Sequence, residues 1–315
     1  MDIGVELKNS IIYIADGKAD KVSVKPQLEG DNYYIAFTLA AKFKSVTFDG
    51  VSKDVEDGAF CRVKVSDLTG GYHTLVVTDY YGKESVTIYF KVATKYTVSI
   101  DENSQTCEAG ATIVLPANDQ GYYDVTNKVA YAPETVLTVD EDMTLKSIEL
   151  NVTMTPGASI RLAAPTGLRF QTTVTSGNGI DADEILNSKT VTTGTLITTL
   201  DLYRTNGKTL TKDSTYTVLD IANAGWFNDG KKTETGKFCG SIIKIQKENY
   251  GREFIAVGYA TIKYSNGKTK TVYAKVTENN AKSIKYVAEK VQKSEAYNKY
   301  KDIIDKYING EEISK

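Results

Sequence analysis

The chain has 315 residues, well beyond one ordinary domain, so two or three hydrophobic cores are expected. A formal net charge of −2 and a 41% hydrophobic share argue against a polyanion-binding footprint, hence against nucleic acid as a partner, and against the composition of a disordered chain. Tyrosine (21) far outnumbers phenylalanine (9) and tryptophan (1), and Thr and Val are plentiful, which suits pleated, half-buried surfaces; the chain reads as mainly β. The N-terminus "MDIGVELKNS" shows no charged segment followed by an apolar run, and no stretch reaches the roughly 18 apolar residues of a membrane helix. No membrane insertion is therefore expected, and the chain is either cytosolic or an excerpt of a longer exported protein. Three distant cysteines, Cys61, Cys107 and Cys239, are too few and odd in number for a disulfide framework. In "AFCRVKV" the alternation puts Cys61 on the face of Val63 and Val65, as a buried, inert thiol.

Residues 1–94 alternate strand-like runs with turn dipeptides. Asp16-Gly17, Asp49-Gly50 and Asp57-Gly58 offer the positive φ that tight hairpins need, and strands recur about every ten residues. Residues 95–150 form a shorter module of strands separated by an aromatic turn, "DQGYYDV", and an acidic one, "VDEDMT". A unit this small buries only about 60% of its unfolded surface and leans on its neighbours.

The third module, 151–315, opens with "GASIRLAAPTGLRF". Arg161 and Arg169 are eight apart and share a face in a strand, with Pro165 marking an edge, bend or bulge between them. They either stiffen the module, by donating to carbonyls freed at the bend or pairing with acids, or recognise a carboxylate or sugar ring; catalysis is a third reading. Arg252 in "NYGREF" is weighed in the same way. Gly167, after Thr in "PTGL", is expected at positive φ, and Asn206-Gly207 and Asn266-Gly267 are expected to mark hairpins. "DADEIL" predicts a helix capped by Asp181, with Glu184 reaching back three residues on. The tail, about 277–309, predicts two helices. One carries Ala281, Ile284, Ala288 and Val291 on one face, and the other Tyr297, Tyr300, Ile304 and Tyr307, stopping at Gly310.

Chemistry-bearing patterns are scarce. The one histidine, His73, lies in the first module, far in sequence from any nucleophile, and neither clustered metal ligands nor a phosphate loop occurs, so no cofactor or metal is implied. Two carboxylates suffice for glycoside hydrolysis, but 40 acidic residues make any pair uninformative. Aromatic residues are the better lead, because sugars stack their C–H faces on rings. Trp226 with Phe227 in "NAGWFNDGKK" is the foremost candidate, followed by Tyr122 and Tyr123, then Tyr80 and Tyr81. Trp226 either plugs the core between the strands and the tail helices or offers a platform.

"GYHTLVVTDYYGKESVTIYFKV" resembles the last hairpin of a bacterial immunoglobulin-like domain. Residues 95–150 resemble the small repeat modules related to the internalin B repeat, with "GYYDV" in place of their tryptophan-glycine centre. "GASIRL…PTGLRF", "YTVLDIANAGWF", "GSIIKIQKENYGREFIAVGYATIKY" and "SIKYVAEKV" resemble a β-rich surface domain of gut Firmicutes proteins that follows such modules. The resemblance implies tandem β-sandwich or immunoglobulin-like modules with a C-terminal helical segment packed on the last. It also implies an extracellular or cell-surface setting in a Gram-positive bacterium. On that basis the expected function is non-catalytic adhesion or binding of polysaccharide, host glycan or cell-wall glycan, alongside other modules of the same polypeptide. The alternatives are an architectural spacer and, further off, a phage tail or baseplate component.

Overall fold

The computed structural model describes residues 95–228 and 231–313 throughout, and before residue 95 the backbone of the strands given below and of one turn. The protein is mainly β, and contacts divide it into two compact units, Met1–Ile113 with Val136–Met143, and Val114–Thr135 with Thr144–Lys315. Residues 95–150 thus contribute to both. Among the described residues no helix is long and apolar enough to cross a membrane.

In the first unit the long strand Ser85–Ile100 pairs antiparallel with Ser10–Ile14, Gly71–Asp79 and Asn103–Glu108 along successive stretches. The alternation of "YFKVATKYTVSI" continues unbroken through residues 94 and 95, so backbone pairing does so too. Phe43–Phe48 and Val51–Lys53 form a hairpin whose two-residue loop is Asp49-Gly50, with φ of 47° and 79°, as that dipeptide predicts. Val22–Glu29, Asn32–Leu39 and Phe60–Lys64 make a separate three-stranded sheet, and Pro26 falls on its edge strand, where a missing N–H is tolerated. Asp16-Gly17, Asp57-Gly58, Tyr80 and Tyr81 lie outside the described residues, as do the side chains of Cys61 and His73.

The second unit begins with β1 (Tyr122–Asp124), flanked by β2 (Val129–Tyr131) and β3 (Met143–Ser147). Two further sheets then face each other. In one, β6 (Gly167–Ser176) is bordered on one side by β4 (Leu150–Met154) and β5 (Ser159–Arg161) in succession, and on the other by β11 (Lys237–Ile243). The other runs β8 (Leu219–Ala222), β7 (Val191–Thr199), β12 (Phe254–Lys263), β13 (Thr269–Tyr273). A side chain at Gly258 would collide with Thr172, and one at Gly240 with Thr195. The sheets therefore interlock by reciprocal Thr-into-Gly contacts at their centre.

The strands β7 and β12 are buried almost continuously. Ile197 and Ala256 face the sandwich, whereas Leu196, Ile255 and Val257 pack with Leu200 and Tyr203 of α2 (Leu200–Thr205). Covering on both faces leaves "FIAVGYATI" without the in-and-out alternation of a half-buried strand. Asn206-Gly207 is not a hairpin: Asn206 is the C-cap of α2. Thr199 caps the helix start and Leu200 and Tyr203 bury one face, so Asn-Gly serves as a helix stop, with Gly207 at φ 76°. Asn266-Gly267 does turn the β12–β13 hairpin.

The other helices form where the sequence predicts, except that Ala281 lies before the first tail helix in extended backbone and packs with Leu200 and Tyr203 instead of with Ile284 and Ala288. Asp181 caps α1 (Ala182–Leu186) by accepting from the Asp183 amide at 2.7 Å, but Glu184 engages Lys128 at 2.7 Å rather than closing a capping box. Both α3 (Ile284–Val291), capped by Ser283, and α4 (Tyr297–Asn309), stopped by Gly310 at φ 73°, pack on the sandwich. Ile284, Ala288, Ile304 and Tyr307 share a core with Ile160, Leu168, Phe170, Ile197 and Phe254. Burying four such side chains is worth several kcal/mol, at about 1.5–3 kcal/mol for each large aliphatic or aromatic one.

Between β8 and β11, β9 (Phe227–Asn228) and β10 (Lys231–Lys232) form a small ribbon.

Candidate functional site

The stretch 155–171 shapes two of the pockets found among the described residues. In the β5–β6 hairpin Ser159 faces Arg169, Ile160 faces Leu168 and Arg161 faces Gly167. Period-two alternation sends Ile160, Leu168 and Phe170 into the core and places Ser159, Arg161, Arg169 and Gln171 on the outer face. Both arginines thus share one side of the hairpin. Arg161 Nε donates to the Pro165 carbonyl at 3.1 Å, closing the loop that contains the cis Ala164–Pro165 bond, and Arg169 Nε donates to Ser159 Oγ at 3.0 Å. Gly167 does not occupy positive φ. It is required because a Cβ there would lie 2.1 Å from the Ile242 carbonyl oxygen, where β11 runs close alongside.

At the tip of this hairpin lies a groove of about 650 Å³. Its walls come from three segments distant in sequence: Ala164, Pro165 and Thr166; Lys244 to Lys247 with Tyr250; and Tyr307, Glu312 and Ile313. The Lys244 amide donates to the Thr166 carbonyl at 3.2 Å, and the hydroxyls of Tyr307 and Thr166 share a hydrogen bond of 2.7 Å. The Tyr250 and Tyr307 rings meet edge-on at 4.9 Å. Burial pushes both phenols above their ordinary value, against the opposing pull of a hydrogen bond from the Ile313 backbone on Tyr250 and from Thr166 on Tyr307. They stay protonated at neutral pH and act as fixed apolar walls with their hydroxyls occupied. Pro165, Ile245 and Ile313 extend the apolar surface, and Lys244, Gln246, Lys247 and Glu312 ring it with polar groups.

A smaller pocket of about 200 Å³ opens at the hairpin base, lined by Thr155, Ser159, Arg169, Gln171 and Cys239 among others. Thr155 and Gln171 bond to each other at 2.9 Å there. Arg252 is exposed and contacts Asn249 at 3.5 Å, beside the groove wall but not in its lining.

The remaining aromatic candidates fall elsewhere. Tyr122 and Tyr123 are 3% and 0% exposed, because β1 is paired on both edges and covered. Tyr123 is core, its phenol pushed up to about 12 by burial and then by the Glu184 and Asp124 carboxylates. Trp226 is half-buried, at 6.0 Å from the Phe238 ring, and its Nε1 donates to Asn187 Oδ1 at 2.7 Å. It packs beside α1 rather than against the tail helices. Phe227 is 55% exposed. A shallow hollow of about 430 Å³, lined by Asp181, Asp183, Lys232 and Glu234, lies at the other arm of the same ribbon.

Sequence reasoning singled out the arginines and missed the groove residues. Tyr307 was legible only as part of a helix stripe, and Lys244, Lys247 and Tyr250 only as letters of the stretch "GSIIKIQKENYGREF"; their convergence is a product of the tertiary fold. No family model matches the chain, and no curated protein matches it.

Proposed function

We propose that the chain is a non-catalytic region of an exported Gram-positive surface protein, built of tandem immunoglobulin-like β modules, that binds carbohydrate in the groove at the tip of the β5–β6 hairpin. The observation that carries this reading is the groove itself: about 650 Å³, with apolar walls of proline, isoleucine and tyrosine and a rim of lysine, amide and carboxylate groups. That combination matches a saccharide, which has apolar C–H faces and a polar periphery, and the volume lies within the roughly 300–1,000 Å³ of small-ligand sites. The walls are fixed before any ligand arrives, by the Arg161–Pro165, Tyr307–Thr166 and Lys244–Thr166 bonds, so little ordering entropy is lost on binding. Glu312 is the one carboxylate in the lining, whereas glycoside hydrolysis employs two; the groove fits retention rather than turnover.

A second reading, an architectural spacer presenting another part of a longer polypeptide, draws support from Trp226, Tyr122 and Tyr123, whose rings are spent on packing. A glycan array followed by calorimetry on the intact chain separates the two. Binding to at least one polysaccharide is expected, and Gln246→Trp, an exposed position on the groove lip, should weaken it more than tenfold with unchanged melting. No binding to any glycan would leave the spacer reading in its place.

A further inference from the structure

We infer that the groove selects saccharides that carry a carboxylate, with Lys244 and Lys247 as the groups that receive it; this rests on the carbohydrate-binding reading above. Among the described residues three lysines adopt a left-handed backbone: Lys128 (φ 59°), Lys208 (φ 56°) and Lys244 (φ 54°). Glycine or asparagine takes that conformation at lower cost, and at Lys244 the backbone is held by its amide bond to the Thr166 carbonyl and by the Gln246 side-chain amide donating to its own carbonyl. Two of the three side chains have a carboxylate partner. Lys128 Nζ pairs with Glu184 at 2.7 Å, and Lys208 Nζ with Glu278 at 2.8 Å. The third, Lys244, lines the groove and has no anionic partner among the described residues, and neither has its neighbour Lys247.

The surroundings point the same way. Arg161 is tied by its Nε to the Pro165 carbonyl, on the groove wall, and its guanidinium also lacks an anionic partner among the described residues. Two lysines therefore line the groove against the one lining carboxylate of Glu312, with Arg161 bound to the Pro165 carbonyl beside them and Glu248 near enough to act on the Tyr250 phenol. A ligand carboxylate supplies the missing counter-charge, and the walls of Pro165, Ile245 and Ile313 receive the apolar face of its ring. Uronic acids, the carboxylate sugars of many polysaccharides, have this chemistry. A carboxylate engaged by two lysine ammonium groups forms charge-assisted hydrogen bonds, about twice as strong as neutral ones, which a neutral sugar cannot reproduce.

The test uses the intact chain and three uronate polymers of different linkage, polygalacturonate, alginate and hyaluronate, each beside its methyl ester, which keeps the backbone and removes the charge. A neutral glycan panel accompanies them. The expected result is binding of at least one uronate polymer at least tenfold tighter than its ester, falling as salt is raised. It should be lost in Lys244→Met/Lys247→Met and retained in Lys268→Met, an exposed lysine in the β12–β13 turn. If the ester binds as well as the acid, or only neutral glycans bind, selection by carboxylate is wrong while the carbohydrate reading stands. Equal loss in the Lys268→Met control would assign the binding to general surface charge and overturn the proposal. If no glycan of any kind binds, both fall. Melting curves of every variant confirm that the comparison is between folded proteins.

Discussion

At the scale of the residue, Gly167 owes its lack of a side chain to a neighbouring strand and not to the positive φ expected of it. The "PTGL" context suggests a left-handed turn glycine, yet the residue is regular strand, kept free of a side chain by the Ile242 carbonyl on the adjacent β11. The two causes make different predictions. A left-handed position accepts Asn nearly as well as Gly, whereas a steric one rejects every Cβ alike. Gly167→Asn and Gly167→Ala are therefore expected to destabilise by similar amounts, about 2–4 kcal/mol in denaturant unfolding, and a tolerated Asn would restore the turn explanation. The arginines of the same hairpin divide in a comparable way. They share a face as expected, but through the register of two antiparallel strands and not along one bent strand, and that Arg161 would spend its Nε on the carbonyl of Pro165 depended on where the loop closed.

Among the elements, the tail helix α4 does two jobs. Ile304 is wholly buried against Phe170, Ile197 and Phe254, while Tyr300 is half-buried and sits at a kink with φ −126° and ψ 19°. The anchoring is thus unequal. Ile304→Ala should cost about 2–4 kcal/mol and Tyr300→Ser about 1 kcal/mol or less, read from chemical denaturation. Because Tyr307 lies on the next turn and forms a groove wall, Ile304→Ala should also weaken any groove ligand, and Tyr300→Ser should not. The element α2 carries the opposite lesson. Asn206-Gly207 has the chemistry of a hairpin loop and of a helix stop, and nothing local distinguishes them; burial of Leu200 and Tyr203 against Ile255 and Val257 decided for the helix.

For the molecule as a whole, the segment Val114–Thr135 is integral to the second unit. Gln120 both donates to the Leu150 carbonyl and accepts from its amide, at 3.1 and 2.8 Å, and Tyr123 enters the core with Ile148, Val174 and Phe238. That burial has a pH signature. An unfolded tyrosine loses its proton near pH 10, whereas Tyr123 in the native protein holds it to about 12. Below pH 10 the two states bind the same proton; between 10 and 12 only the native state does, so stability falls as pH rises through this window, by about 3 kcal/mol at most. Tyr123→Phe keeps the ring and removes the titration. Its unfolding free energy is expected to decline less between pH 9 and 11 than that of the parent, and an identical decline would place the alkaline sensitivity in other buried phenols such as Tyr259 or Tyr307.

What the sequence by itself determined is everything coded within about one turn or one hairpin: the β character, the Asp49-Gly50 and Asn266-Gly267 loops, the Asp181 cap and the tail helices with their apolar stripes and the Gly310 stop. These follow from backbone preference and from side-chain periodicity, which act between residues a few positions apart. What only the tertiary structure decided is the partition of 95–150 between two units, the packing of Tyr122, Tyr123 and Trp226, and the groove. The groove joins a hairpin loop near 165, a turn near 245 and the chain beyond 307, and no local rule specifies which distant segments meet. That choice is made by strand register and by the fit of one buried face on another, energies that exist only once the sheets have closed.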